Sequence, residues 1–297
     1  MSRPTARDFD PEVMRLFDHY VHGRIDRRGF LDGASRYATA GVTAAMLLEA
    51  LNPKFAQAQQ IKPDDARLTT RFVEIDSPKG YGKARGYLAR PKGAQGKLPA
   101  VLVVHENRGL NPHIEDVTRR FALENFIAFA PDALFPLGGY PGDEDKARAA
   151  FAKLDQPKTR EDFVAAAEWL RAQPDAGERV GVVGFCYGGA MSNLLAVRLP
   201  WLAAAVPFYG GSQPGAADAA KIKAAVLIHN AENDDWVNAG APAYEQALKA
   251  AGVRYEAHTY PGTGHGFHND TTPRYDEAAA KLAWQRTLAF FNRHLRG

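Results

Sequence analysis

Residues 179–192 read RVGVVGFCYGGAMS, and few folds can accommodate that order of residues. Val180, Val182 and Val183 make a short β-branched run of the kind buried in parallel sheets. The run meets Gly184-Phe185-Cys186-Tyr187-Gly188-Gly189 and continues as an apolar helical pattern through Leu194, Leu195 and Val197. Strand, glycine-flanked reactive residue and helix make a nucleophile elbow, a turn too tight for Cβ atoms beside the reactive residue. Such a turn lifts Cys186 to the N-terminus of a helix, where the helix dipole favours a thiolate. A lone cysteine in a strand is otherwise a small buried hydrophobe, but that role requires neither the glycines nor the switch from strand to helix. Cys186 is the only cysteine, which excludes an internal disulfide and a cysteine-cluster metal site.

The rest of the chain supplies the sheet that an elbow needs. Residues 72–76 and 85–89 alternate as a hairpin, joined by the Gly-rich segment 77–84. Residues 99–104 read as a fully buried strand, 113–125 as a helix and 127–130 as the next strand. Residues 132–143 are rich in Gly and Pro and predict a loop. Thr159 can cap a helix that runs to Arg171 and is stopped by Pro174. Two buried strands (203–208, 225–229), a helix (241–251), a last strand (253–260) and a closing helix (275–295) follow. Strands alternating with helices predict a mostly parallel sheet covered on both faces, with the first hairpin adding antiparallel strands at one edge. That is the α/β-hydrolase fold. A chain of 297 residues, 45% apolar, can form one such domain, placed at 63–297, plus an appendage. A net charge of +3 without a long basic run gives no indication of nucleic-acid binding. The sequence contains no internal repeat.

The appendage, residues 1–62, allows two readings. Asp10 before Pro11-Glu12 starts a helix on which Phe9, Val13, Leu16, Phe17, Tyr20 and Val21 recur at helical spacing. Arg27-Arg28, the uncharged stretch 37–48 and Ala56-Gln57-Ala58 resemble a twin-arginine export signal, which predicts a periplasmic mature protein beginning near Gln59. The stretch is too short for a stable membrane span, which needs ~20 residues. On the other reading the segment is helical, broken at Gly23 and Asn52-Pro53, and packs on the main domain or on a second copy of a cytoplasmic chain. The long amphipathic region ahead of the arginines and the interruption at Glu49 fit that reading.

In an elbow fold the acid and the histidine follow the nucleophile in that order, each in a loop after a strand. The strand 225–229 leads to Ala231-Glu232-Asn233-Asp234-Asp235, and the strand ending at Tyr260 leads to Gly264-His265-Gly266. Both loops fall on the carboxyl side of the sheet, where Cys186 emerges. His265 would take the thiol proton and return it to the leaving oxygen. Asp234 would hold the imidazole tautomer, with the adjacent Asp235 as the alternative acid and His268 as a rival base. The loop His105-Glu106-Asn107-Arg108-Gly109 follows the strand ending at Val104. In this fold it supplies one backbone N–H of the oxyanion hole, at Asn107, and the residue after the nucleophile, Tyr187, supplies the other.

Together these residues resemble the dienelactone hydrolase family, from about Phe72 to the C-terminus. The cysteine elbow at 184–189, the Glu106 loop, Asp234 and Gly264-His265 carry the likeness. The resemblance implies a carboxylic ester hydrolase that cleaves a small ester or lactone through a Cys186–His265–Asp234 triad, without cofactor or metal. It also implies that Glu106 contacts a neutral resting thiol and helps deprotonate it when substrate arrives. The family holds its substrate carboxylate with two arginines, and the matching positions here are Pro136 and Asn269. Arg108 is the substitute candidate for substrate binding, unless it pairs with Glu115 or Asp116. The expected partner is a small-molecule ester or lactone, with homo-oligomerisation left open. A thioesterase or other acyl transferase, and a non-catalytic ligand-binding or thiol-sensing protein of the same fold, are the alternatives.

Overall fold

The computed structural model describes residues 4–39 and 41–296; Met1–Arg3, Ala40 and Gly297 lie outside the described residues, and with them the outer ends of the 1–62 and 63–297 segments and one position of the uncharged stretch. Eight strands form one sheet: Leu68–Ser77 (β1), Gly82–Pro91 (β2), Leu98–Val104 (β3), Ile127–Pro131 (β4), Ala176–Phe185 (β5), Ala204–Phe208 (β6), Ala225–Asn233 (β7) and Tyr255–Gly264 (β8). Their order is β1-β2-β4-β3-β5-β6-β7-β8. The pairings β1/β2 and β2/β4 are antiparallel and the others parallel, as the hairpin-at-one-edge reading predicts. From β3 the chain crosses first to β4 on one side and then to β5 on the other. The carboxyl ends of β3 and β5 therefore flank a reversal of strand order, where open α/β sheets form their ligand crevice.

The helices are Pro11–Val21 (α1), Arg27–Ala34 (α2), Ala44–Leu51 (α3), Phe55–Ala58 (α4), Pro112–Leu123 (α5), Glu144–Phe151 (α6), Gln156–Arg171 (α7), Tyr187–Arg198 (α8), Ala216–Ala219 (α9), Asp235–Asn238 (α10), Ala241–Ala250 (α11) and Glu277–Leu295 (α12). The central strands are apolar on both faces because both are covered. Leu102, Val104, Val180 and Val182 pack with Phe163 and Leu170 of α7 and Leu195 of α8. Val101, Val103 and Val183 pack with Val117 and Phe121 of α5 and Phe291 of α12.

Several boundaries differ from expectation for local reasons. Asp155, rather than Thr159, caps α7: its carboxylate accepts from Lys158 N at 3.2 Å, while Thr159 donates its hydroxyl back to Asp155 O at 3.0 Å from inside the first turn. A one-turn 3-10 helix, Phe135–Leu137, interrupts the expected loop. Strands β7 and β8 run past His229 and Tyr260, so that Asn233 pairs with Gly264. The residues after that pair are Asp234 and His265.

The N-terminal segment is divided more finely than two helices, although it does break at Gly23 and at Asn52-Pro53. Phe17, Tyr20, Phe30, Leu48 and Leu51 are buried together in a cluster of their own. Asp26 caps α2 by accepting from Gly29 N at 2.8 Å, which places Arg27 and Arg28 in its first turn. Polar contacts tie the segment to the sheet-bearing region. Arg148 donates to Tyr20 O at 2.6 Å, Lys54 N to Thr271 O at 2.7 Å, and Ile61 N to the Asp116 carboxylate at 2.8 Å. Among the described residues, no helix is long and apolar enough to cross a membrane.

Candidate functional site

The elbow folds as its sequence predicts. Cys186 has φ +55° and ψ −110°, a left-handed conformation that costs a cysteine about 1–3 kcal/mol and persists only where the surroundings impose it. They do so by close approach. A Cβ on Gly184 would lie 2.0 Å from Gly188 O, and one on Gly188 would lie 2.2 Å from Val104 O. Cys186 N donates to Phe208 O at 3.1 Å, which fastens the turn to β6.

The extended pairing of β7 with β8 aligns the other two residues. Asp234 caps α10 while its Oδ2 accepts from His265 Nδ1 at 2.6 Å, both side chains being buried. The exposed Asp235 is the first residue of α10 and makes no such contact. Because Nδ1 donates to Asp234, His265 turns Nε2 toward Cys186. His268 is not part of this group. It stacks on Phe185 at 5.1 Å, and burial with the nearby Arg120 charge pushes it down to about 3, which keeps it neutral.

A third imidazole, absent from the sequence-based site, completes the cluster. His22 follows α1, and its Nε2 lies 3.7 Å from Cys186 Sγ and 3.1 Å from His265 Nε2. Its Nδ1 donates to Asp18 O at 2.8 Å, with Asp18 Oδ1 at 3.2 Å. The ligand atoms of His22, Cys186 and His265 all lie within 4.8 Å of one another. Asp18 on α1 and His22 at its C-cap stand four residues apart, a signal present in the sequence whose destination is set by tertiary packing.

These neighbours decide the charges. Burial opposes a thiolate at Cys186, but the attraction of His265 and the hydrogen bond from His22 outweigh it and bring the thiol down to about 6. Burial likewise opposes imidazolium at His265, yet Cys186 and the Asp234 hydrogen bond hold it up to about 10. For His22, Asp18 and Cys186 overcome burial and hold it up to about 9. Two imidazoles near the sulfur favour the thiolate, whereas the resemblance implies a neutral resting thiol. Glu106 meanwhile accepts from Asn269 Nδ2 at 2.8 Å.

The loop after β3 closes the site from the other side. His105 is fully buried as a strut, accepting from Ala133 N at 3.2 Å. Asn107 and Tyr187 direct their side chains elsewhere: Asn107 Nδ2 donates to Val21 O at 3.0 Å and Tyr187 OH to Gln156 Oε1 at 3.3 Å. Arg108 pairs with neither Glu115 nor Asp116. It donates to Asn107 Oδ1 at 2.7 Å and to Val21 O at 3.2 Å, with Nε 3.5 Å from Glu144. Arg274, which the sequence reading missed, lines the same cavity. It lies over the Phe17 ring, and among the described residues its buried Nε and Nη1 have no hydrogen-bond partner, with the Asp18 carboxylate 3.9 Å from Nη1. With α1 in place the cavity amounts to about 30 Å³, room for two or so waters and not for an ester.

Comparison with known proteins agrees with this architecture. The model of the dienelactone hydrolase family matches residues 84–295, and a YqhI-like family model matches residues 1–40. A protein of Escherichia coli (strain K12) assigned as a carboxymethylenebutenolidase is 33% identical over 246 residues, covering 78% of this chain and 89% of its own. A Bradyrhizobium protein assigned as a 2-oxo-3-(5-oxofuran-2-ylidene)propanoate lactonase is 32% identical over 230 residues, covering 73% of this chain and 92% of its own. The crystal structure of a protein from Klebsiella pneumoniae assigned as a dienelactone hydrolase superposes with a TM-score of 0.67 at 32% identity, covering 76% of this chain and 99% of that one. The chain belongs to the dienelactone hydrolase family and is a hydrolase acting on esters or lactones.

Proposed function

We propose that the protein cleaves a small carboxylate-bearing ester or lactone through an acyl-enzyme on Cys186. The observation that carries this reading is the Asp234–His265 hydrogen bond of 2.6 Å, with His265 Nε2 turned to a sulfur held in a strained elbow. The Cys186 thiolate attacks the carbonyl carbon, and the oxyanion is held by the backbone N–H groups of Asn107 and Tyr187. The imidazolium of His265 protonates the leaving oxygen as the C–O bond breaks. Water then attacks the thioester, its proton passing to His265, and the acid product leaves with the thiolate restored. Asp234 keeps His265 in the productive tautomer throughout. Glu106 and Asn269, hydrogen-bonded to each other, line the same cavity as the thiol.

Substrate charge is read by arginine. Arg108 is largely engaged by the loop and by Val21, so Arg274, with two free buried donors, is the stronger carboxylate site. A guanidinium–carboxylate contact contributes about 1.5–3 kcal/mol. The cavity is too small for substrate while α1 is docked, so binding requires α1 and His22 to withdraw. Asp18 then leaves Arg274 to the substrate. Retained, residues 1–62 act as a removable cover over the site; cleaved as an export signal, they would leave it open.

The test is release of nitrophenol from a short-chain nitrophenyl ester, with a burst equal to the enzyme concentration, and its loss in Cys186→Ala. Turnover without a burst that survives complete alkylation of Cys186 would remove the cysteine mechanism. A thioesterase or a thiol sensor would instead show preference for thioester substrates or no turnover at all.

A further inference from the structure

We propose that His22, His265 and Cys186 form a binding site for a thiophilic divalent cation, zinc in the first instance, with a fourth coordination position open. The argument starts from the tautomers. His265 Nδ1 donates to Asp234 and His22 Nδ1 donates to Asp18 O, so both neutral rings present an unprotonated Nε2. Those two nitrogens are 3.1 Å apart. At that distance a shared proton holds the two nitrogens together in the metal-free protein, and a metal cation can take the place of that proton.

The spacing suits a metal. With Zn–N and Zn–S bonds of about 2.05 and 2.3 Å at tetrahedral angles, ligand atoms should stand roughly 3.3 Å apart for N···N and roughly 3.6 Å for N···S. The corresponding separations to His22 are 3.1 Å and 3.7 Å, already near those values without rearrangement. The outer contacts fit as well. Each histidine has a carboxylate at its far nitrogen, Asp234 Oδ2 at 2.6 Å and Asp18 Oδ1 at 3.2 Å, the arrangement that orients imidazole ligands of zinc and raises their basicity. Two imidazoles and a thiolate match a borderline-soft ion and reject calcium and magnesium, which demand oxygen. The small cavity beside Glu106 leaves room for one water as fourth ligand.

Binding proceeds with each ligand deprotonated at the coordinating atom, the displaced protons passing to solvent. The ion would occupy the sulfur and pin α1 to the elbow, because one ligand comes from the N-terminal segment and two from the sheet. The site itself needs only the three ligand atoms in place; its power to block turnover rests on the proposed role of Cys186.

The experiment uses the full-length chain, freed of metal by dialysis against a chelator. Zinc chloride is titrated in competition with a chromophoric chelator, and cobalt chloride is added separately for its optical spectrum. One zinc per chain is expected, with the intense visible bands of tetrahedral cobalt and a thiolate-to-cobalt charge-transfer band. His22→Ala should weaken zinc binding at least tenfold, whereas Asp18→Asn, which keeps the backbone carbonyl that accepts from His22 Nδ1, should weaken it less. Failure to take up zinc, wild-type affinity in folded His22→Ala, or a cobalt spectrum lacking the thiolate band would each overturn the site. The cobalt spectrum needs no variant, so a misfolded mutant cannot rescue the proposal. Zinc bound with these signatures but without effect on ester turnover would uphold the site and count against Cys186 as nucleophile, so the two readings fail separately.

Discussion

Removal of the His22 ring should raise the pKa of the Cys186 thiol in a way that a pH titration can read directly. The thiol falls from an ordinary 9.0 to about 6 in this site. That difference is worth about 4 kcal/mol, and it changes the thiolate fraction at pH 7 from roughly 1% to roughly 90%. His265 supplies the larger share, and His22 adds a hydrogen bond across 3.7 Å. A charge-assisted hydrogen bond contributes about 1.5–3 kcal/mol, so its loss should raise the midpoint by one to two pH units, to about 7–8. The sign follows from charge: a cationic neighbour favours the thiolate, so His22→Ala leaves less thiolate at neutral pH. The assay is the pH dependence of iodoacetamide incorporation at Cys186, followed by intact mass. The midpoint is the readout rather than the absolute rate, because opening the cavity speeds access while a more basic thiolate is intrinsically more nucleophilic. A wild-type midpoint at or above 8.5, or no movement in His22→Ala, would refute the electrostatic account.

Asp234→Asn should cut kcat by on the order of 10⁴ with the fold intact, while Asp235→Asn, exposed and outside the hydrogen-bonded pair, should stay near wild type in the same ester assay. Arg274→Ala should lower kcat/KM about ten- to hundredfold on a carboxylate-bearing ester and little on its neutral analogue, whereas Arg108→Ala should affect both alike by loosening Val21 and α1. Mass spectrometry of the protein from its native cell should show residues 1–62 retained; a mature chain beginning near Gln59 would mean that His22 is absent from the working site.

The parts of the site legible in the sequence are those that local backbone chemistry dictates. A glycine at 184 and at 188 is required because Gly188 O and Val104 O come within 2.0 and 2.2 Å of where a Cβ would sit, and that constraint is written into the elbow itself. The positions of Asp234 and His265 follow from two strands ending side by side, which the alternation of strands and helices implies. The choice of Asp234 over Asp235 needed one further fact, the pairing of Asn233 with Gly264, because a one-residue change of register reverses which side chain faces inward. His22 and Arg274 were hidden for a different reason. His22 acts on residues 164 and 243 positions away, and nothing in a short amphipathic helix says which surface will receive it. Arg274 lies in a turn-rich stretch and gains its meaning only from Phe17 and Asp18 of that same helix. The neutral-thiol expectation counted the Glu106 charge without the second imidazole, which acts on the thiol in the opposite sense.

Isolation of the intermediate tests the central claim most directly. The full-length protein is mixed with a short-chain nitrophenyl ester, quenched in acid within the burst, digested and examined by mass spectrometry. The account predicts one acyl group per chain, carried by the peptide that contains Cys186, appearing with the nitrophenol burst and disappearing as the ester is exhausted. Steady ester turnover with Cys186 unacylated at every quench time, or an acyl group on another residue that persists in Cys186→Ala, would contradict it.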